Sequence, residues 1–131
     1  MMLSPLLPFV LTVGVVTTNK PTEPPIACRA NALDKTERKR QQELLELVRR
    51  SAQATQELPD GFAVRLASDP GVFQQAAEWV SLERRCCPFV HFTLEWSLDD
   101  TVWIAFSGGP GVKDFLAAEI LGSKPSAALD R

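Results

Sequence analysis

The sequence predicts a small α+β domain, a mainly antiparallel sheet with helices packed on one face, in the order α-β-α-β-β-α and ferredoxin-like in character. Three observations lead there. Segments with apolar residues at helical spacing follow recognisable helix-start signals. Shorter segments alternate apolar and polar residues with the period of two that marks half-buried strands. The chain has 131 residues, 45% hydrophobic and 23% charged, which is the size and composition of one soluble globular domain.

The elements follow in order. Asp34 and Glu37 stand three apart, the form of a capping box in which the first side chain takes an orphan amide and the second answers it. Leu44, Leu45, Leu47, Val48, Ala52 and Ala54 then recur among charged neighbours, so an amphipathic helix is expected over 35–55. Glu46 and Arg50, four apart in the favourable order, add a few tenths of a kcal/mol at most. Pro59-Asp60-Gly61 is a turn. Phe62, Val64 and Leu66 alternate with Ala63, Arg65 and Ala67 to give a strand over 61–67. Ser68-Asp69-Pro70 opens a second helix, with Pro70 near the first helical position, where its missing N–H costs nothing. Val72, Phe73, Ala76, Val80 and Cys87 share one side of it, with Trp79 and Cys86 beside them. Pro88 stops it, because the residue before proline is pushed out of the α region.

Two strands over 89–97 and 101–107 are joined by Leu98-Asp99-Asp100 and read as a hairpin. Val90, Phe92, Leu94 and Trp96 form one face of the first; Phe89, His91, Thr93 and Glu95 form the other. Val102, Ile104 and Phe106 point inward from the second, and Trp103 points outward as a contact surface or dimer interface. Gly108-Gly109-Pro110-Gly111 breaks the chain before a last helix over 112–121. It lacks a phosphate-loop pattern and reads as a strand-to-helix turn. Three strands leave the ferredoxin-like pattern one short. The run Phe9–Val16, or an edge of a second copy, could supply the missing strand.

Residues 1–27 read differently from the body at 28–122, and 123–131 read as a loose tail. Met1–Val16 carries no charge, and five of the ten prolines fall in the first 25 residues. The apolar run is too short and too broken by proline for a membrane span, which needs about 20 residues. It has no basic residue before it and no small-residue cleavage site after it, as a signal peptide would. Ile26-Ala27-Cys28 suggests a lipoprotein signal, but Pro25 stands where such a signal needs leucine. A poorly ordered extension on a cytoplasmic, reduced-thiol protein is expected; export is the alternative if 1–16 acts as a signal. Fourteen Lys and Arg against 16 Asp and Glu give a net charge of −2. With no basic field to neutralise phosphates, no nucleic-acid partner is expected, and no membrane partner unless the N-terminal run is a signal. The basic residues Lys35, Arg38, Lys39 and Arg40 are interrupted by Glu37 and read as a solvated helix face.

The concentrated chemistry is Glu83-Arg84-Arg85-Cys86-Cys87-Pro88-Phe89-Val90-His91, where a helix passes into a strand. Adjacent sulfurs diverge by about 100° on a helix, but Pro88 draws Cys87 toward an extended conformation and the pair together. Converging thiols bind soft ions: Zn(II), Cu(I), Hg(II) or As(III). Cys28, just before the first helix, could fold onto the pair. Cys28, Cys86, Cys87 and His91 would then make a Cys₃His set of the kind zinc uses, with Glu83 as another candidate ligand. The spacing matches no recognised zinc signature. Two other readings stand beside this one. The cysteines could be packing residues of a dimeric interaction or scaffold domain, with Glu83 and the arginines a solvated, salt-bridged helix end. Or one thiol could be a nucleophile, which Arg84 and Arg85 would favour and the negative end of the helix dipole would oppose. No orienting Asn or Asp lies near His91 in sequence, and no catalytic residue is assigned.

Ala27-Cys28, Leu33 through Glu37, Leu58-Pro59-Asp60-Gly61, Glu78-Trp79 and above all Leu82-Glu83-Arg84-Arg85-Cys86-Cys87-Pro88-Phe89 resemble a family of small bacterial proteins with no established activity. Some of its members accompany heavy-metal resistance genes. The likeness runs from Cys28 to about Leu121, and the Glu-Arg-Arg-Cys-Cys-Pro-Phe string is its most specific part. It implies soft-metal handling and no catalytic residue. The apolar tail before Cys28 departs from the family's short start.

Overall fold

The computed structural model describes residues 14–15, 25–29 and 31–122. Their elements are α1 Lys35–Ser51, β1 Ala52–Leu58, β2 Gly61–Leu66, α2 Pro70–Cys86, β3 His91–Trp96, β4 Val102–Ser107 and α3 Val112–Glu119. The sheet runs β1-β2-β4-β3 and every neighbouring pair is antiparallel. The expected α+β architecture is therefore present, in the order α-β-β-α-β-β-α.

β1 corrects the expected order. The helix expected over 35–55 ends at Ser51, and Ala52–Leu58 pairs with β2 instead. The missing strand thus comes from the chain just after α1. The expected strand over Phe9–Val16 lies outside the described residues, apart from Gly14 and Val15, which are exposed and in no strand; the loose tail at 123–131 also lies outside them. β1 is an edge strand with no buried side chain and no run of alternating large apolar residues. Without a buried face there is no apolar alternation to read, and Ala, Gln and Glu suggest a helix. Backbone pairing outweighs that preference, and a polar surface protects an open edge.

The hairpin turn from β1 to β2 uses Pro59 and Asp60, with Leu58 opposite Gly61. Gly61 is fixed by the approach of β4, since a Cβ there would lie 2.7 Å from the Ser107 Cα. Gly111, the residue before α3, has φ 85°, a left-handed conformation glycine adopts without steric cost. The glycine-rich segment is a strand-to-helix turn, as expected, and the Gly108 N–H donates to the Asp60 carbonyl at 3.1 Å.

Register places Phe62 opposite Phe106, Val64 opposite Ile104 and Leu66 opposite Val102, with Phe92, Leu94 and Trp96 of β3 on the same rows. This face meets Leu44 and Val48 of α1, Ala76 and Trp79 of α2 and Leu116 of α3 in one core. Each large buried side chain contributes about 1.5–3 kcal/mol of transfer free energy. The capping box at Asp34 and Glu37 forms as expected. Asp69 caps α2 by accepting from the Val72 N–H at 3.0 Å, with Pro70 in the first turn. The buried stripe of α2 is Ala76, Trp79 and Glu83, so Trp79 lies at its centre and not beside it. Its ring meets Phe92 edge-on at 5.7 Å. Arg40 donates twice to the Glu78 carboxylate, at 2.9 Å each, and ties α1 to α2.

Among the described residues no helix packs on the other face of the sheet. Trp103 lies there half-buried, paired in register with Arg65 and Glu95. Among the described residues no helix is long and apolar enough to cross a membrane.

Candidate metal centre

Two pieces of chain build the centre. Cys86 is the last residue of α2 and Cys87 its C-cap. Cys87 has φ −121° and ψ 72°, so the chain leaves the helix one residue before Pro88, where proline excludes the helical conformation. Cys28 arrives from the segment before α1. The Arg29 N–H donates to the Cys86 carbonyl at 2.9 Å. Arg85 clamps the same segment: its Nη2 donates to the Ala32 carbonyl at 2.7 Å, and its guanidinium pairs with Glu37. An arginine of the Glu-Arg-Arg-Cys-Cys string thus holds the distant third cysteine against the other two.

The three Sγ atoms lie within 4.8 Å of one another, and Cys28 and Cys87 are 3.8 Å apart. A tetrahedral ion holding thiolates at about 2.3 Å would set its sulfurs about 3.8 Å apart. One edge is therefore at ligand spacing already. All three cysteines are free thiols, with Cys28 exposed, Cys86 half-buried and Cys87 buried. The exposed member offers entry and the buried one anchors the cluster in the core.

Glu83 sits one turn below Cys87, whose N–H donates to the Glu83 carbonyl at 2.6 Å. Its carboxyl accepts from Gln41 Nε2 at 2.8 Å. Burial pushes this carboxyl above the usual range, against the lowering effect of Gln41, the Cys87 thiol and the Trp79 indole. The indole N–H of Trp79 is buried without a hydrogen-bond partner. Burial is also the first cause that raises both the Cys28 and the Cys87 thiols; the charge of Glu83 pushes Cys87 further the same way. At neutral pH these two are protonated thiols, and a bound ion must displace their protons.

The fold brings Cys28, Cys86 and Cys87 together and leaves His91 out. His91 begins β3 and is exposed. Strand alternation turns it to the helix-free side, opposite Phe92. It lines a separate cavity of about 550 Å³ with Asp60, Phe89, Ser107, the glycine-rich turn and Val112 at the start of α3. The expected Cys₃His set is thus corrected to three sulfurs, the one group of three or more metal-ligating side chains among the described residues. Glu83 touches the cluster through Cys87 but lies outside the sulfur group. It is also not the solvated partner of Arg84 and Arg85, being only 7% exposed.

Several residues of the site were not foreseen. Gln41, Gln42, Leu45, Phe115, Glu119 and Ile120 join Glu83 and the three cysteines around a cleft of about 250 Å³. One signal for Gln41 was available: it precedes Leu44, Leu45 and Val48 by three, four and seven positions and so lies on their face.

Fold and site together define a small α+β protein with a cluster of three free thiols beside an open cleft. No protein-family model, curated protein or solved structure matches the chain.

Proposed function

We propose that this protein binds a soft metal or metalloid, of the class Zn(II), Cu(I), Hg(II) or As(III), through Cys86 and Cys87 with Cys28 as third ligand. The observation that carries the reading is the convergence of three free thiols from two distant pieces of chain within 4.8 Å. Soft thiolate donors select such ions. The likeness of the Glu83–Phe89 string to a family with members beside heavy-metal resistance genes points the same way. His91 and Glu83 are not needed for this reading.

Titration of the reduced protein with Hg(II), Cu(I), Zn(II) and As(III) tests it. A tight one-to-one complex with at least one of them, weakened by Cys86→Ser, is expected. No such complex, or one indifferent to Cys86→Ser, refutes it.

A second reading, an interaction domain that pairs as a homodimer, rests on the helix-free sheet face. There Trp103 is half-buried and Arg65 Nε is buried without a hydrogen-bond partner. Sedimentation that gives a dimer, converted to a monomer by Trp103→Glu, supports it; a monomeric wild type removes it.

A further inference from the structure

A bare ion does not account for the space in front of the three sulfurs. A site that only stores an ion closes its coordination with protein ligands. Here the thiols form one wall of a cleft of about 250 Å³, and its other walls include the apolar side chains of Leu45, Phe115 and Ile120. A water-sized occupant takes up about 30 Å³ of liquid volume, whereas an apolar cavity of about 150 Å³ suffices for benzene. The cleft is thus larger than an ion needs and large enough for an aromatic ring. Phe115 is held in place by an edge-on contact with Phe89 at 5.0 Å, which presents a fixed aromatic wall. Gln41, Gln42, Glu83 and Glu119 complete the lining, which holds no cationic side chain for an uncharged occupant to desolvate.

We infer that the cargo is a trivalent arsenical carrying one organic substituent, held by two of the thiols with its substituent in the cleft between Leu45, Phe115 and Ile120. This rests on the thiol-binding reading above and names the class of ligand for that site. The chemistry balances without a redox partner. An aryl arsenic(III) oxide, R–As=O, condenses with two Cys S–H groups to give R–As(S-Cys)₂. Two S–H bonds and the arsenic–oxygen bond break, two arsenic–sulfur bonds form, and both protons leave with the oxygen as one water. Arsenic stays trivalent and the product is uncharged. Inorganic arsenite fits the same sulfurs but leaves the cleft empty.

Phenylarsine oxide and arsenite are the probes, titrated in parallel against the reduced full-length protein, Gln42→Trp and Leu45→Ala. Gln42 is exposed at the cleft rim, so a tryptophan there narrows the cleft without entering the core. Apolar pocket contacts discriminate by roughly 10–200-fold. Gln42→Trp is expected to weaken phenylarsine oxide by about tenfold or more while arsenite stays within about threefold. Leu45→Ala, which removes an apolar wall, is expected to act in the same sense. Equal effects on both probes, or no effect on either, overturn the inference and leave the thiol reading standing. If the wild type binds neither probe, the inference falls, and the titration with Hg(II), Cu(I) and Zn(II) decides the thiol reading separately.

Discussion

Cys87 separates a ligand from a packing residue, because its two roles have different energetic signatures. It is 4% exposed and belongs to the hydrophobic core. Cys87→Ala deletes one sulfur, a group near methylene size, whose lost transfer free energy is about 0.8 kcal/mol. The cavity left behind adds about 24 cal/mol per Å³, which brings the total to roughly 1–2 kcal/mol. In a body of this size each kcal/mol moves Tm by about 4–8 °C. The unliganded variant should therefore melt about 5–15 °C below the wild type. The second signature is linkage. At a free ligand concentration a hundred times Kd, binding stabilises the folded state by about 2.7 kcal/mol. Arsenite should therefore raise the wild-type Tm by more than the mutation lowers it, and should scarcely move Cys87→Ala. Circular dichroism melts in a non-thiol reductant, with and without arsenite, read both quantities. A Cys87→Ala protein that keeps the full arsenite-induced rise refutes the ligand role. One that melts with the wild type refutes the core account.

Three further outcomes follow from the same geometry. The folded-state pKa of Glu83 is raised by burial, so its contribution to stability is full below the unfolded pKa near 4.3 and is lost as pH rises through the folded value. Glu83→Gln keeps an acceptor for Gln41, so urea denaturation should find it more stable than the wild type at pH 8, with the gap closing toward pH 4; a gap that widens at acid pH contradicts this. Gly61→Ala forces a Cβ against β4, 2.7 Å from the Ser107 Cα, and should cost about 1–3 kcal/mol in urea denaturation; an unchanged midpoint contradicts the close approach. Arg85→Ala releases the segment that carries Cys28. It should weaken arsenite binding by about tenfold while the denaturation midpoint scarcely moves, because the Arg85–Glu37 pair is exposed.

Local chemistry made much of the fold legible in the sequence. The Asp34–Glu37 box, Pro70 and Pro88 mark helix ends through bonds and clashes spanning a few residues, the β2 and β4 alternations report a buried face, and that of β3 a half-buried one. β1 lacks both kinds of signal: its side chains face water and its composition suits a helix, so only pairing with β2 defines it. At the site, the vicinal pair and the relevance of Cys28 could be seen, because adjacent thiols in a cysteine-poor chain are conspicuous. Their convergence could not, since it depends on Arg85 reaching Ala32 and Glu37. His91 shows the opposite case. Its nearness in sequence suggested a ligand, yet a single alternation step turns it to the other side of the sheet. Glu83 was expected in solvent with its arginine neighbours. The helical stripe from Ala76 through Trp79 carries it inward, where Gln41 answers it.

X-ray absorption at the arsenic edge of the arsenite-loaded, reduced protein tests the central claim most directly, because it counts the atoms bound to the metalloid. Three sulfurs and no oxygen are expected for the wild type, falling to two sulfurs with an oxygen in Cys28→Ser. A first shell of oxygen alone, or one unchanged by Cys28→Ser, would contradict a centre built from Cys28, Cys86 and Cys87.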